Sequence, residues 1–425
     1  MLNSKLACAG MVFVSGMFLG AEPAGSAGGE LTWEDCRRAA LTNNPDFLAA
    51  KDAESAARAS YGGSMAGLLP SVGLSNSYGD GSNQGEDNRW RASLSAGMDI
   101  INVSDWLSIR RSGASLDQAR ARLRAASAQA RQSVRGSFAD LVYAQDQVRI
   151  SEEILALRER NAKLVALRYA SGRESLGDKL QVEAQLEEAG TNVSAARRNL
   201  LTARTALAGR IGLTATGDGP VASGELAISD PPSSPPDVGV LLPELPAIQA
   251  ARAQTRLSEL SLSESRVRLW PTLSASYSRG RSGPNEFPDG PLSWSAGGSL
   301  SWPLFSSGVA SLPFAWTAAS RQLAQAKESA RSTEAQETNG LQSAWASFAA
   351  AADTVRVQKA YLAAAEQRNR EADIRYSSGL LSFENWEQIV TDFVNYKRSA
   401  LRTRRDAVVA EAGWHEALGR GLEEP

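Results

Sequence analysis

The chain has 425 residues and a formal net charge of -2, with charged side chains of both signs interspersed along it. This balance gives no basic patch for binding nucleic acid. With two cysteines in the whole sequence, we expect neither a disulfide scaffold nor a cysteine-based metal cluster.

The N-terminus has the pattern of a cleaved export signal. Lys5 precedes a mostly apolar run from Leu6 to Leu19, and Gly25-Ser26-Ala27 supplies the small residues of a cleavage site. We therefore expect residues 1–27 to be a signal peptide. No later segment reaches the ~18 apolar residues that a membrane-spanning helix needs.

The remaining chain repeats once. Three segments of the first half have counterparts in the second: Asn44–Lys51 with Leu245–Arg252, Leu69-Pro70 with Trp270-Pro271, and Tyr169–Gly172 with Tyr376–Gly379. The repeat predicts a first unit over 28–215 and a second over 245–425, joined by a Pro-rich linker over 216–244. Each unit is expected to contain a helix, a strand pair and a long helical hairpin.

The strand pairs are predicted at about 70–102 and 271–303, where apolar and small polar residues alternate. The apolar positions include Trp90, Leu94, Met98, Trp294 and Trp302, and the intervening positions are mostly Ser and Gly, with Arg91 and Asp99 among them. Alternation over ~10 residues is typical of a transmembrane β-strand, although a soluble sheet with one buried face also alternates.

Tryptophans and small polar residues favour the membrane. We expect Trp90, Trp270, Trp294 and Trp302 to form an aromatic belt at the bilayer surfaces, and Arg91 and Asp99 to line a polar lumen. Four strands cannot close a barrel, and an open edge cannot face lipid. Three copies, giving twelve strands, would close it, so the membrane interpretation requires an oligomer.

The long helices carry apolar residues at heptad spacing, from Val134 to Tyr169 and from Trp386 to Trp414. Such spacing is typical of coiled-coil packing. It predicts two antiparallel hairpins, at about 104–212 and 306–420, that turn at Gly172 and Gly379, where glycine takes a positive φ at low cost.

Together these features resemble the TolC-like outer membrane efflux protein family. Its order of motifs includes Leu31–Glu34, Asn44-Pro45, Leu69-Pro70 and Ser301–Phe305. The resemblance implies an α+β membrane protein: a homotrimer with a 12-stranded β-barrel in the outer-membrane lipid of a Gram-negative bacterium, and a helical tunnel crossing the periplasm. It also implies a passive exit duct for drugs, metabolites or metal ions, with a periplasmic adaptor protein and an inner-membrane transporter as partners and no cofactor.

The resemblance places a gate at the hairpin tips. Family channels carry acidic residues just after the second tip glycine, at the positions of Asn385 and Gln388 here. Glu384 and Glu387 each lie one residue earlier and are our candidates for a selectivity ring. Further gate candidates are Asp178, Arg173 and Arg375, and the candidates for adaptor contact are Tyr169, Gly172, Tyr376 and Gly379.

Other classes of protein have less support in the sequence. The single histidine, His415, is remote from any nucleophile or carboxylate motif, so no enzyme is predicted. A soluble periplasmic coiled-coil adaptor would carry helical hairpins but not two strand pairs with lipid-like faces. A channel for type I protein secretion would share the fold, and its partner pump would distinguish it.

Overall fold

The computed structural model describes residues 30–79, 89–213, 219–302 and 312–424. The predicted signal peptide lies outside these ranges. The first half contains, in order, β1 (Glu30–Leu31), α1 (Trp33–Asn43), α2 (Pro45–Ala66), β2 (Ser71–Gly79), β3 (Arg89–Ile101), α3 (Val103–Ala170) and α4 (Leu176–Arg210). The second half contains β4 (Val221–Ala222), α5 (Val238–Leu241), α6 (Pro246–Val267), β5 (Thr272–Gly283), β6 (Ser293–Ser301), α7 (Leu312–Ser377) and α8 (Phe383–Ala417).

The helix that precedes the strand pair of each repeat begins at a proline. Pro45 and Pro246 occupy the first turns of α2 and α6, where the missing N–H would have no partner within the helix. Asn44 caps α2 by accepting from the N–H of Phe47 at 2.8 Å, and its amide donates to the carbonyl of Arg210 at 2.7 Å. The matched motifs of the two repeats therefore fix equivalent helix starts.

A four-stranded antiparallel sheet combines the strand pairs of both repeats. Its order is β2-β3-β5-β6, so the hairpins meet where β3 pairs with β5. Leu74 faces Leu94, and Ala96 faces Tyr277, which in turn faces Ala296. Apart from one shift between Asp99 and Ile101 of β3, the register is regular, so the apolar residues of four strands share one face. Within the subunit β2 and β6 are edge strands.

The two faces of the sheet differ in chemistry. On the polar face, hydroxyl groups pair across neighbouring strands at 2.9 Å: Ser75 with Ser93, Ser274 with Ser299, and Ser278 with Ser295. On the apolar face, Leu74 is 83% exposed and Leu300 is 68% exposed in the single subunit. Large apolar side chains left open in this way mark a surface that meets lipid or another protein.

The two longest helices set the length of the molecule. α3 has 68 residues and α7 has 66, so each extends about 100 Å at ~1.5 Å per residue. Near the sheet, α2 packs against α3, and α6 packs against both α3 and α7. Farther away, α4 and α8 pack against these long helices in the same arrangement. No helix in the described ranges is long and apolar enough to cross a bilayer.

The buried stripe of α3 departs from the predicted heptads. Val134 and Leu141 are fully buried, but Tyr169, at the same heptad position, is 38% exposed. An α-helix has 3.6 residues per turn, so heptad positions drift by ~20° per repeat, roughly 100° over this stretch. Ile154 and Val165 occupy the buried face instead. On α8, by contrast, Trp386 and Trp414 of the predicted series are both buried.

The chain between the repeats packs around the middle of the helices. β4 pairs in parallel with β1, the indole N–H of Trp345 donates to the carbonyl of Pro232 at 3.0 Å, and Ser229 binds Glu411 through its backbone N–H at 2.9 Å. Cys36 lies in the core beneath this segment, where burial raises the pKa of its thiol to about 12. The thiol is therefore protonated and unreactive at neutral pH.

Candidate functional site

The hairpin tips turn at two glycines with left-handed backbone conformations. Gly172 has a φ of 71° and Gly379 a φ of 76°. In the first tip the N–H of Arg173 donates to the carbonyl of Arg168 at 2.9 Å, and in the second the N–H of Leu380 donates to the carbonyl of Arg375 at 2.8 Å. These bonds satisfy the last carbonyls of α3 and α7. Both turns lie at glycines that the repeat pattern of the sequence indicates.

The return helix of the first tip begins with a capping box. Ser175 caps α4 by accepting from the N–H of Asp178 at 3.1 Å, and the carboxylate of Asp178 accepts from the hydroxyl of Ser175 at 2.7 Å. Asp178, a predicted gate residue, therefore stabilises the start of α4 within its own hairpin. Ser382 occupies the corresponding position before α8.

Tyr376 is the centre of a buried aromatic cluster in the second tip. Its ring stacks on Trp386, with centroids 4.2 Å apart and planes 7° from parallel. The indole N–H of Trp386 donates to Asp373 at 2.8 Å, which joins the end of α7 to the start of α8. Phe383 completes the cluster. The interior of this tip is thus filled by large side chains whose polar atoms are paired.

The same tyrosine connects the second hairpin to the first. Its hydroxyl donates to Glu174 at 2.8 Å, and its carbonyl accepts from the guanidinium of Arg168 at 2.7 Å. Arg168 also pairs with Glu174 at 2.8 Å and lies over the Tyr376 ring, 4.5 Å from its centroid. Burial, followed by the bond to Glu174, raises the pKa of Tyr376, so its hydroxyl stays protonated and keeps donating at neutral pH.

A second connection between the hairpins lies deeper along the helices. Glu387 of α8 pairs with Arg158 of α3 at 2.9 Å, and both side chains are 8% exposed. Gln185 of α4 donates to the same carboxylate at 2.9 Å, and Thr391 donates to it at 2.8 Å. A buried ion pair of this kind needs its remaining lone pairs satisfied, and here they are. Helices α3, α4 and α8 are therefore joined at one point.

The structure separates the predicted gate residues into two groups. Arg173, Arg375 and Glu384 are exposed, as a group facing an aqueous passage must be. Glu387 is buried, and its charge is neutralised by Arg158 inside the subunit. This placement argues against Glu387 as a member of a selectivity ring. The ring at Glu384 stays a prediction.

Sequence reasoning missed Arg168 and Arg158 as contacts between the hairpins. Arg158 lies one helical turn after Ile154, on the apolar stripe of α3. A cation on that stripe is the sequence signal that indicates a buried carboxylate partner. Nothing in the spacing identifies the partner, because Glu387 lies in the other repeat.

At the opposite end of the molecule, the predicted barrel residues lie on the faces that alternation indicated. Trp270, Trp294 and Trp302 are exposed, and Trp90 is half-buried against Tyr78. The alternate positions place Arg91 and Asp99 on the serine face of β3. Their roles as lipid belt and lumen lining remain predictions.

Among the described residues, no group of three or more His, Cys, Asp or Glu side chains could hold a metal ion. The imidazole of His415 lies 3.1 Å from the guanidinium of Arg420. Burial and then this cation lower the pKa of His415, so it is neutral at pH 7.

The comparisons with known proteins agree with this architecture. In fold the chain is similar to the outer membrane channel MtrE of Neisseria gonorrhoeae, with a TM-score of 0.80 and 19% identity over 92% of this chain and 89% of that one. It is also similar to the outer membrane channel CmeC of Campylobacter jejuni, with a TM-score of 0.79 and 16% identity over 92% and 87%. A third similar structure is the outer membrane protein VceC of Vibrio cholerae, with a TM-score of 0.77 and 20% identity over 92% of this chain and 97% of that one.

No curated protein sequence matches the chain. Residues 37–213 and 239–420, which cover most of each predicted repeat, match the model of the outer membrane efflux protein family. The predicted family, TolC-like α+β fold, efflux role and outer-membrane location are thereby confirmed, and the trimer with its twelve-stranded barrel stays a prediction. The chain belongs to the outer membrane efflux protein family.

Proposed function

We propose that this outer-membrane efflux protein forms one third of a passive exit duct that continues an inner-membrane pump through the periplasm. The observation that carries the proposal is the open sheet of one subunit, with two edge strands and a large exposed apolar face. An unpaired strand edge is costly in lipid. Pairing β2 of one copy with β6 of the next, three times, gives a closed barrel of twelve strands.

The same assembly accounts for the two chemistries of the sheet. The apolar face, with Leu74 and Leu300, faces hydrocarbon, and the serine face encloses an aqueous pore. In the helical part, α7 lies at one edge of the subunit, because it packs against α6 and α8 while α3 packs against α2, α4, α6 and α8. Its free side packs against α2 and α4 of the next copy, and this closes the tunnel.

The hairpin tips form the gate. The bonds of Tyr376 to Glu174 and of Glu387 to Arg158 hold the second hairpin against the first. Several buried contacts repeated in three subunits favour one arrangement of the hairpins, and a partner that binds the other arrangement shifts the population. Opening therefore requires that these contacts break. The passage is narrowest at the tips, and Glu384 is exposed there at the start of α8.

A periplasmic adaptor binds the tips of the hairpins, which are the ends farthest from the sheet. Leu167 is 71% exposed and Ile374, its counterpart in the second repeat, is 68% exposed. Leu380, just after Gly379, is 79% exposed. Exposed apolar residues beside rigid turns suit the helical tips of another coiled coil. Arg173 and Arg375 surround them with positive charge.

The test is assembly and conductance of the mature chain. Extracted in detergent, the protein is expected to be a trimer, and in a planar bilayer it is expected to conduct ions. Glu384→Gln should lower the preference for cations, while Asp353→Asn, a surface change on α7 away from the tips, should not. A detergent-independent monomer in aqueous buffer would contradict the duct. Unchanged selectivity of a conducting Glu384→Gln trimer would remove only the ring.

A further inference from the structure

Two arginines interrupt the apolar face of the sheet. Along β5, Leu273, Ala275 and Tyr277 occupy alternate positions on that face, and the next two alternate positions are Arg279 and Arg281. Since successive side chains of a strand point to opposite faces, both guanidinium groups leave the sheet on the side of the leucines and tryptophans, away from the serines. Both residues are exposed.

Their height along the strand is well defined. The long helices join the sheet at one end, so the β5–β6 loop lies at the other, outward end. Arg279 lies opposite Trp294, which is eight residues from Trp302 at the inner end of β6, or about 26 Å along the strand at ~3.3 Å per residue. At the ~40° tilt of barrel strands this is about 20 Å along the barrel axis, so both arginines lie near the outer limit of an apolar band ~25 Å tall. A charge is costly at the bilayer centre and is tolerated at this level.

Aromatic residues mark the same level. Arg279 lies opposite Trp294 of β6, and Trp90 packs on Tyr78 with ring centroids 5.2 Å apart at the outer ends of β2 and β3. Trp302 lies at the opposite end of β6. Tryptophan and tyrosine collect where hydrocarbon meets headgroups. The arginines are therefore at headgroup depth, beside the outer aromatic ring.

The loop after β5 extends along this face. Asn76, which also points to the apolar side of the sheet, donates to the carbonyl of Glu286 at 2.9 Å. Phe287 follows and is 83% exposed. Within the described ranges neither Arg279 nor Arg281 forms an ion pair with any carboxylate, including those of Glu286 and Asp289. Two cations on a lipid-facing surface thus lack an anion from the described chain.

We propose that Arg279 and Arg281 bind the phosphate of an outer-leaflet lipid on the outside of the barrel, one such site in each subunit. A guanidinium group can donate two parallel N–H bonds to two oxygens of one phosphate. The phosphate then supplies the negative charge that the two arginines lack. The apolar strip below them, with Tyr277 and Met98, accepts acyl chains. The ligand class is an acylated, phosphorylated lipid, and the site rests on the outward orientation of the apolar face proposed above.

The experiment measures lipid binding to the intact trimer in neutral detergent by native mass spectrometry. The probes are bisphosphorylated lipid A, the same lipid without phosphates, and inorganic phosphate as a competitor. The variants are Arg279→Gln/Arg281→Gln, its charge-retaining partner Arg279→Lys/Arg281→Lys, and Arg91→Gln, an arginine of the same sheet on the serine face. We expect the double Gln variant to bind lipid A roughly tenfold to thirtyfold more weakly.

The double Lys variant should bind more strongly than the double Gln variant, and Arg91→Gln should bind like the wild type. Two results together support a lipid phosphate as the ligand. The wild type does not bind the phosphate-free lipid, and millimolar inorganic phosphate does not displace lipid A. Equal binding of lipid A by the wild type and a trimeric double Gln variant overturns the site and leaves the duct intact. Failure of the wild type to form a trimer overturns both. If the double Gln variant does not assemble, the double Lys variant and the wild type decide the question. A trimer that binds the phosphate-free lipid as tightly as it binds lipid A overturns the site.

Discussion

The two hairpin tips are equivalent in the repeat but not in their packing. Tyr169 and Tyr376 occupy matching positions, and so do Lys179 and Trp386. In the first tip the Lys179 ammonium lies 5.3 Å from the centroid of the Tyr169 ring, at an exposed surface. In the second tip the Trp386 ring replaces it, and the Tyr376 ring is completely buried.

The difference continues along the return helices. Leu176 and Leu180 of the first hairpin are exposed, whereas their counterparts Phe383 and Glu387 are buried. Matching positions of the two hairpins therefore have different environments. Within one subunit the first tip leaves these side chains exposed, and the second tip uses the same positions to bind the first hairpin. In the proposed gate, the contacts that must break on opening are therefore those of the second hairpin with the first.

Trp386→Ala should have the largest effect on the second tip. It removes a buried indole that stacks on Tyr376 and donates to Asp373, so the local free energy of opening should fall by about 3–5 kcal/mol. Hydrogen exchange of the amides at the start of α8 measures this loss. The matched change Lys179→Ala in the first tip should alter exchange there by less than about 0.5 kcal/mol. Equal effects at the two tips would contradict the asymmetry.

Much of this architecture follows from the sequence, and the part that does not has a physical reason. Gly172 and Gly379 were predicted as turns because the requirement for a positive φ is local. The strand faces were predicted because alternation along a strand is also local. The pairing of Glu387 with Arg158 was not, because it joins two helices from different repeats and depends on how the hairpins pack.

The heptad pattern illustrates the same limit. Its spacing correctly predicted long antiparallel helices, but it assigned Tyr169 and Tyr376 the same environment. The accumulated drift of the α-helix exposes Tyr169, and contact with the first hairpin buries Tyr376. Periodicity identifies which side of a helix is apolar, and the neighbouring helices decide which of those residues are covered.

Glu387→Gln should have the second largest effect. It leaves Arg158 buried without a counter-charge, which costs about 3 kcal/mol, the lower end of the range for a broken buried pair. Since the lost contact joins the hairpins, the closed arrangement is weakened, and we expect larger leak conductance in a planar bilayer. Asn395→Ser, at an exposed position about two turns farther along α8, is the control. A Glu387→Gln channel as closed as the wild type would mean that this pair does not hold the gate.

Tyr376→Phe should have the smallest effect, because it removes one hydroxyl and keeps the ring stack. The bond to the Glu174 carboxylate is expected to contribute about 1–2 kcal/mol. The raised pKa of Tyr376 gives this contribution a pH dependence with a defined sign. Its stabilisation is fully present below the ordinary tyrosine pKa of ~10 and is lost as the pH rises above it, because the unfolded state then releases its proton first.

The measurement is exchange at the second tip as a function of pH, corrected for the intrinsic rate. The wild type should lose protection above pH ~10 by more than Tyr376→Phe does, while Tyr169→Phe, in the exposed tip, should follow the wild type. If Tyr169→Phe and Tyr376→Phe behaved alike, the two tyrosines would be equivalent in solution. The Glu174 bond would then have no part in holding the hairpins together, and the weight of closure would fall on Glu387 and Arg158 alone.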